Sequence, residues 1–168
     1  MIIDAPEDKP VSVKVDGSTQ IRNTKAKSNS YLEELSDVEG GFENVELNGP
    51  ENTYLHLRGS FGTVTVKGEK NNLYLDSGEI NTLVIDETAT NSTTKIEERA
   101  YVSEAIIDVT TTINGDGDIG QATINADGVK ISMLPDSIIL RPGATATING
   151  KKMTSKDAEE ASSFPRIL

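Results

Sequence analysis

Three groups of side chains in this sequence have the types and spacing that chemistry needs. They are the acids Asp86 and Asp108, the run Asn114-Gly115-Asp116-Gly117-Asp118, and the rings Tyr54, His56 and Tyr74. Two carboxylates about 5 Å apart suit a retaining glycosidase or a calcium site. Oxygen-rich glycine turns bind calcium in nonapeptide-repeat solenoids, where the motif recurs coil after coil so that adjacent turns share ligands. Here it occurs once, so a corner turn is the first reading. No cofactor is expected, and calcium, should it bind, falls to Asp116 and Asp118. Outward rings stack on sugars or anchor a protein partner; cross-strand ring pairs also simply stabilise a sheet.

What would position these residues is a pattern that returns six times between Phe42 and Gly150. Two apolar residues flank one other residue at Val45-Glu46-Leu47, Val64-Thr65-Val66, Leu83-Val84-Ile85, Ala105-Ile106-Ile107, Ala122-Thr123-Ile124 and Ile138-Ile139-Leu140. The steps between them are 19, 19, 22, 17 and 16 residues, repeat lengths of a solenoid. A second inward pair follows each: Leu55 and Leu57, Leu73 and Leu75, Thr94 and Ile96, Thr111 and Ile113, Val129 and Ile131, Ala146 and Ile148. Because strand side chains alternate with period two, both pairs can point inward from opposing walls. Gly49, Gly59, Gly68 and Gly78 mark corners. The expected fold is all-β, a single-stranded parallel β-helix of about 6 to 7 coils, with short helical or irregular caps at both ends. A β-sandwich also has short, evenly spaced strands, and Asn48-Gly49, Asn114-Gly115 and Asn149-Gly150 are hairpin-type turns. It does not, however, require residue-for-residue recurrence at a fixed step.

In this coil alignment the residue after each first pair faces outward, which sets Asp86 and Asp108 on adjacent rungs. A solvated ladder, with Lys67 balancing one acid, is the plainer reading of the pair. Tyr54, His56 and Tyr74 share one outer wall, and Val84 and Ile106 form an outward apolar pair on the other. Residues 1–41 are expected to be a first strand, with Val11, Val13 and Val15 on one face, then a polar loop from Ser18 to Asn29. A short helix through Leu35 would close that segment, begun by the capping-box form Ser30-Tyr31-Leu32-Glu33. Residues 42–151 are the solenoid. Residues 152–168 form a C-terminal cap or linker, with a helix starting at Thr154 or Ser155 and Phe164, Ile167 and Leu168 available to cover the last coil.

Composition bounds the partners. Of 168 residues, 35% are hydrophobic and 4% aromatic, too few for a thick globular core. A net charge of -11 argues against nucleic acid and anionic membrane surfaces, both of which would repel the chain. The absence of cysteine removes thiol chemistry, disulfides and cysteine metal sites, and a single histidine removes any site built on several. No apolar run is long enough to span a membrane, and Met1 to Pro6 lacks the basic and apolar regions of a signal peptide.

The run from Ile113 to Ile131 (INGDGDIGQATINADGVKI), followed by Pro135 to Lys151 (PDSIILRPGATATINGK), resembles the β-solenoid segments of large Gram-positive bacterial cell-surface proteins. Those segments are often found beside S-layer homology modules. The resemblance implies an extracellular or cell-surface fragment of a longer exported polypeptide, and it supplies no catalytic residues. Three functions follow as expectations. The first is a non-catalytic structural or adhesive module, a rigid spacer contacting cell-wall or host carbohydrate, or a surface protein. The second is a polysaccharide lyase or glycoside hydrolase using Asp86 and Asp108. The third is a self-associating spike segment that buries Val84 and Ile106; monomer or low-affinity self-association is the expected state.

Overall fold

Alternation of small and branched apolar residues with polar ones builds walls that are dry on one side and wet on the other. In a computed structural model, residues 1–17, 19–35 and 41–163 are described, with side chains through Glu160. Among them are β1 (Ile2–Ile3), β2 (Val11–Val15), β3 (Ile21–Ala26), β4 (Ser30–Glu34) and β5 (Phe42–Leu47). The long strands β6 (Tyr54–Val66) and β7 (Asn72–Ile85) each bend around a corner. Then come β8 (Thr93–Ile96), β9 (Ala100–Ile107), β10 (Thr112–Gly115), β11 (Asp118–Ile124) and β12 (Val129–Ile131). The chain ends in β13 (Ser137–Leu140), β14 (Thr145–Ile148), β15 (Lys151–Thr154) and the helix α1 (Ser155–Ser163).

The fold is a β-solenoid of about seven turns. One wall stacks β1, β3, β5, the second half of β6, the second half of β7, β9, β11 and β13, all parallel. Through it runs one buried column: Ile3, Ala26, Leu47, Val66, Ile85, Ile107, Ile124 and Leu140. The opposite wall stacks β2, β4, the first halves of β6 and β7, β8, β10, β12 and β14, again parallel. Phe42 and Phe61 stack inside at 5.4 Å, filling the bend between walls. Each fully buried Leu or Ile contributes about 1.5–3 kcal/mol of burial, so a column of them, repeated on both walls, is what holds the stack.

Two stretches differ from expectation. Ser30 to Leu35 is not a helix: Ser30 and Leu32 are buried, Tyr31 and Glu33 face out, and β4 pairs with β2 on one side and β6 on the other. Local capping preference loses to two ladders and a buried leucine. The supposed loop contains β3, whose inward residues are Thr24 and Ala26, so the parallel ladder already includes β1 to β4 rather than starting at Phe42. The second departure is in register. Ile113 stacks on Thr94, and Ile96 opposes Gly115, a slip of two residues from the expected alignment. Gly115 has φ +119, and a Cβ there would collide with the Ile96 carbonyl, so the chain can turn its corner directly after Asn114. A slip of two keeps Ile113 facing inward, where a slip of one would turn it to solvent.

Polar side chains close the corner around Asn71. The buried Asn71 donates from Nδ2 to the carbonyls of Lys67 (2.7 Å) and Gly49 (3.2 Å), and its backbone N–H donates to Ser92 Oγ at 2.9 Å. Ser92 Oγ in turn donates to the Gly68 carbonyl, and Thr111 Oγ1 to the Ser92 carbonyl. At the C-terminal end Asn149 and Gly150, at φ 47° and 75°, make the one Asn-Gly hairpin of the three candidates among the described residues. It folds β15 antiparallel onto β14. Thr154 caps α1 reciprocally with Asp157, and Ala158 is buried. The C-terminal helix is therefore as expected; Phe164, Ile167 and Leu168 lie outside the described residues.

Two stability changes follow. Thr94 is 1% exposed and its Oγ1 has no hydrogen-bond partner among the described residues; Thr94→Val keeps the shape and is expected to stabilise the chain by about 1 kcal/mol in urea unfolding. Gly78, at φ +93, lies so close to the Gly59 carbonyl that a Cβ would collide with it. Gly78→Ala is expected to cost at least about 2 kcal/mol in the same assay.

Candidate functional site

The outward positions of the second wall hold a ring ladder. Tyr31, His56 and Tyr74 occupy the same register position in three successive windings. Tyr31 and His56 stack at 4.9 Å and 18°, His56 and Tyr74 at 4.4 Å and 6°. Tyr54 stands edge-on to Tyr31 and His56, at 5.9 Å and 5.6 Å. Its phenol is held above its ordinary pKa, first by a hydrogen bond with Tyr31 and then by desolvation. Of the three rings singled out from sequence, all lie in this cluster. Tyr31 was missed because its segment was read as helix, although its alternation with Ser30 and Leu32 carried the signal.

A bulge supplies the polar partner. The register of β6 and β7 slips between Leu57 and Arg58, so Leu57 opposes Leu75 while Arg58 opposes Ser77. Asp76 is the extra residue, and extra residues at bulges are re-aimed. Its carboxylate lies 3.0 Å from His56 Nδ1 and accepts from Arg58 Nε at 3.2 Å. Since a carboxylate only accepts, His56 carries its proton on Nδ1. Nothing in the sequence marks Asp76, because a bulge is decided by pairing. Beside the rings, Lys14 and Glu33 form an ion pair at 2.6 Å, which holds the Glu33 carboxyl below its ordinary pKa. Ser12, Lys14, Tyr31, Leu32, Glu33, His56 and Arg58 line a groove of about 210 Å³.

The two acids on the other wall are occupied separately. Asp86 Oδ1 accepts from the Thr88 hydroxyl at 2.7 Å and its N–H at 3.0 Å, and these bonds hold its carboxyl below the ordinary range. Asp108 Oδ1 accepts from Asn125 Nδ2 of the next winding at 2.7 Å. A general acid of a glycosidase needs the opposite shift, a raised pKa. A depression of about 420 Å³ lies at another corner, lined by residues including Asp4, Lys27, Asn48 and Glu51. Asp116 and Asp118 are exposed at the Gly115 corner. No group of three or more His, Cys, Asp or Glu side chains is placed to hold a metal among the described residues. Val84 and Ile106 are half-buried neighbours in an outer column that runs on to Thr123 and the exposed Ile139. No helix among the described residues is long and apolar enough to cross a membrane.

No protein-family model matches the chain, and no curated protein does. Among solved structures it is similar to chitinase ChiW from Paenibacillus sp. str. FPU-7, described as a bacterial cell-surface-expressed multi-modular enzyme machinery. The TM-score is 0.63 at 24% identity, over 80% of this chain and 14% of that one. The likeness is one of fold. The class so defined is the β-solenoid.

The state of Asp86 gives a pH test. Its folded pKa lies below that of an unfolded carboxyl, so its contribution to stability is full at neutral pH and is lost as pH falls through the lowered value. Asp86→Ala is expected to lower the Tm at pH 7, with the difference from wild type closing below about pH 4. A pH-independent difference would mean that the Thr88 bonds do not act through the charge.

Proposed function

We propose that this chain is a non-catalytic structural and adhesive module of a bacterial cell-surface protein, a rigid spacer whose ring-bearing wall contacts carbohydrate. The observation that carries this reading is the stack of parallel strands from β1 to β14, in which, among the described residues, strands of successive windings are bonded to one another and no long loop builds a cleft around Asp86 and Asp108. Such a body keeps its length under load and presents its outer columns at fixed spacing. The fold shared with a segment of a cell-surface chitinase supports the same setting. In this reading the chain works outside the cell as part of a longer exported polypeptide, whose other modules, of the S-layer homology kind, would tie it to the wall. No metal or cofactor is required, and the module acts as a monomer.

In this reading Asp86 and Asp108, each hydrogen-bonded to a neighbour, do not serve as a glycosidic acid pair. Incubation with insoluble chitin, cellulose and purified cell wall tests both halves of the proposal. The chain is expected to co-sediment with at least one of them and to release no reducing ends. Release of reducing ends that disappears in Asp86→Asn or Asp108→Asn would establish the hydrolase instead.

A further inference from the structure

The ring ladder cannot offer its faces along its length, because the rings cover one another. His56 is sandwiched between Tyr31 and Tyr74, and Tyr74 is followed in register by Lys95. Tyr31 is different. One of its faces meets His56; the other turns toward the preceding winding, where the residue opposite is Ser12. Serine carries no ring, so the ladder stops there with Tyr31 40% exposed. The groove lined by Ser12, Lys14, Tyr31, Glu33, His56 and Arg58 opens at this place.

Building on the carbohydrate contact proposed above, we propose that this groove is a subsite for one sugar ring of an uncharged polysaccharide, seated on the free face of Tyr31 above Ser12. A ring continuing the ladder at its observed spacing of 4.4 to 4.9 Å falls at the rung of Ser12. A pyranose has an apolar C–H face to set against an aromatic ring and a rim of hydroxyls that both donate and accept. The groove's other side matches that rim: Lys14, Glu33 and Arg58 line it, Lys14 paired with Glu33 and Arg58 with Asp76 just outside the lining, so both cations are balanced. Hydroxyls can bond both signs, whereas an apolar peptide segment would strip water from these ions and return nothing. The balanced row gives a polyanion no local attraction, and the net charge of -11 repels one.

The test is titration calorimetry of the whole chain against cellohexaose, chitohexaose and polygalacturonate. Variants are Tyr31→Ala, which removes the platform, and Ser12→Trp, which fills the groove from the rung opposite Tyr31. Tyr101→Ala, an exposed ring elsewhere on the solenoid, is the control. Thermal unfolding checks that each variant is folded, and Ser12→Trp, at an exposed edge position, keeps the test available should Tyr31→Ala unfold. Wild type and Tyr101→Ala are expected to bind an uncharged hexasaccharide alike, with at least a tenfold loss in the other two variants. Equal binding by wild type and Ser12→Trp would overturn the subsite while leaving carbohydrate contact standing. Binding of polygalacturonate alone, abolished by salt, would overturn the uncharged ligand class. No heat with any of the three would overturn both the subsite and the adhesive reading.

Discussion

Everything in this molecule depends on one hydrogen-bonding constraint: each winding must satisfy its backbone groups on the windings before and after it. Those partners lie about twenty residues away in sequence, so a strand is stable only if the chain returns to the same place once per turn. The inward residues are therefore held in columns, and the columns must be dry. Where the interior has room for a Leu or Ile the column is apolar. At the corner of Asn71, Ser92 and Thr111, where carbonyls turn inward, buried side-chain donors take over. The stack ends where the Asn149-Gly150 hairpin reverses the chain, and the strand it lays down carries Lys151 and Lys152, charges that discourage further pairing.

The same spacing decides what the outer surface can do. Rungs about 4.8 Å apart are close to the stacking distance of aromatic rings, so three rings in one column stack on each other instead of standing as separate platforms. Acids in one column behave otherwise: Asp86 turns into its own corner and Asp108 reaches the next winding. Like charges at rung spacing repel, and each finds a donor elsewhere. The columns of the ring-bearing wall break at two places: the bulge that aims Asp76 at His56 and Arg58, and the serine that ends the ring ladder.

Much of the fold was legible because the apolar columns of a solenoid are written as repeats. Val45, Val64, Leu83, Ala105, Ala122 and Ile138 recur at nearly equal steps and do lie above one another. Legibility failed where a winding is built from residues that favour other structures. In β3 the inward positions are Thr24 and Ala26, which have no strong hydrophobic signature. In β4 the local capping pattern points to a helix, and only the leucine at its centre, fitted between the columns of β2 and β6, reverses it.

The sequence by itself determined the period, the inward residues of the repeats from Val45 onward, the C-terminal helix and the presence of rings on one wall, since these follow from residue type at regular spacing. Only the tertiary structure decided the two-residue slip at Gly115, the bulge at Asp76, the membership of Tyr31 in the ladder and the separate commitments of Asp86 and Asp108. Apart from the local turn in which Thr88 holds Asp86, the physical reason is shared: each is settled by which residue of a neighbouring winding stands opposite, and that pairing is a property of the closed stack, not of any local stretch of chain.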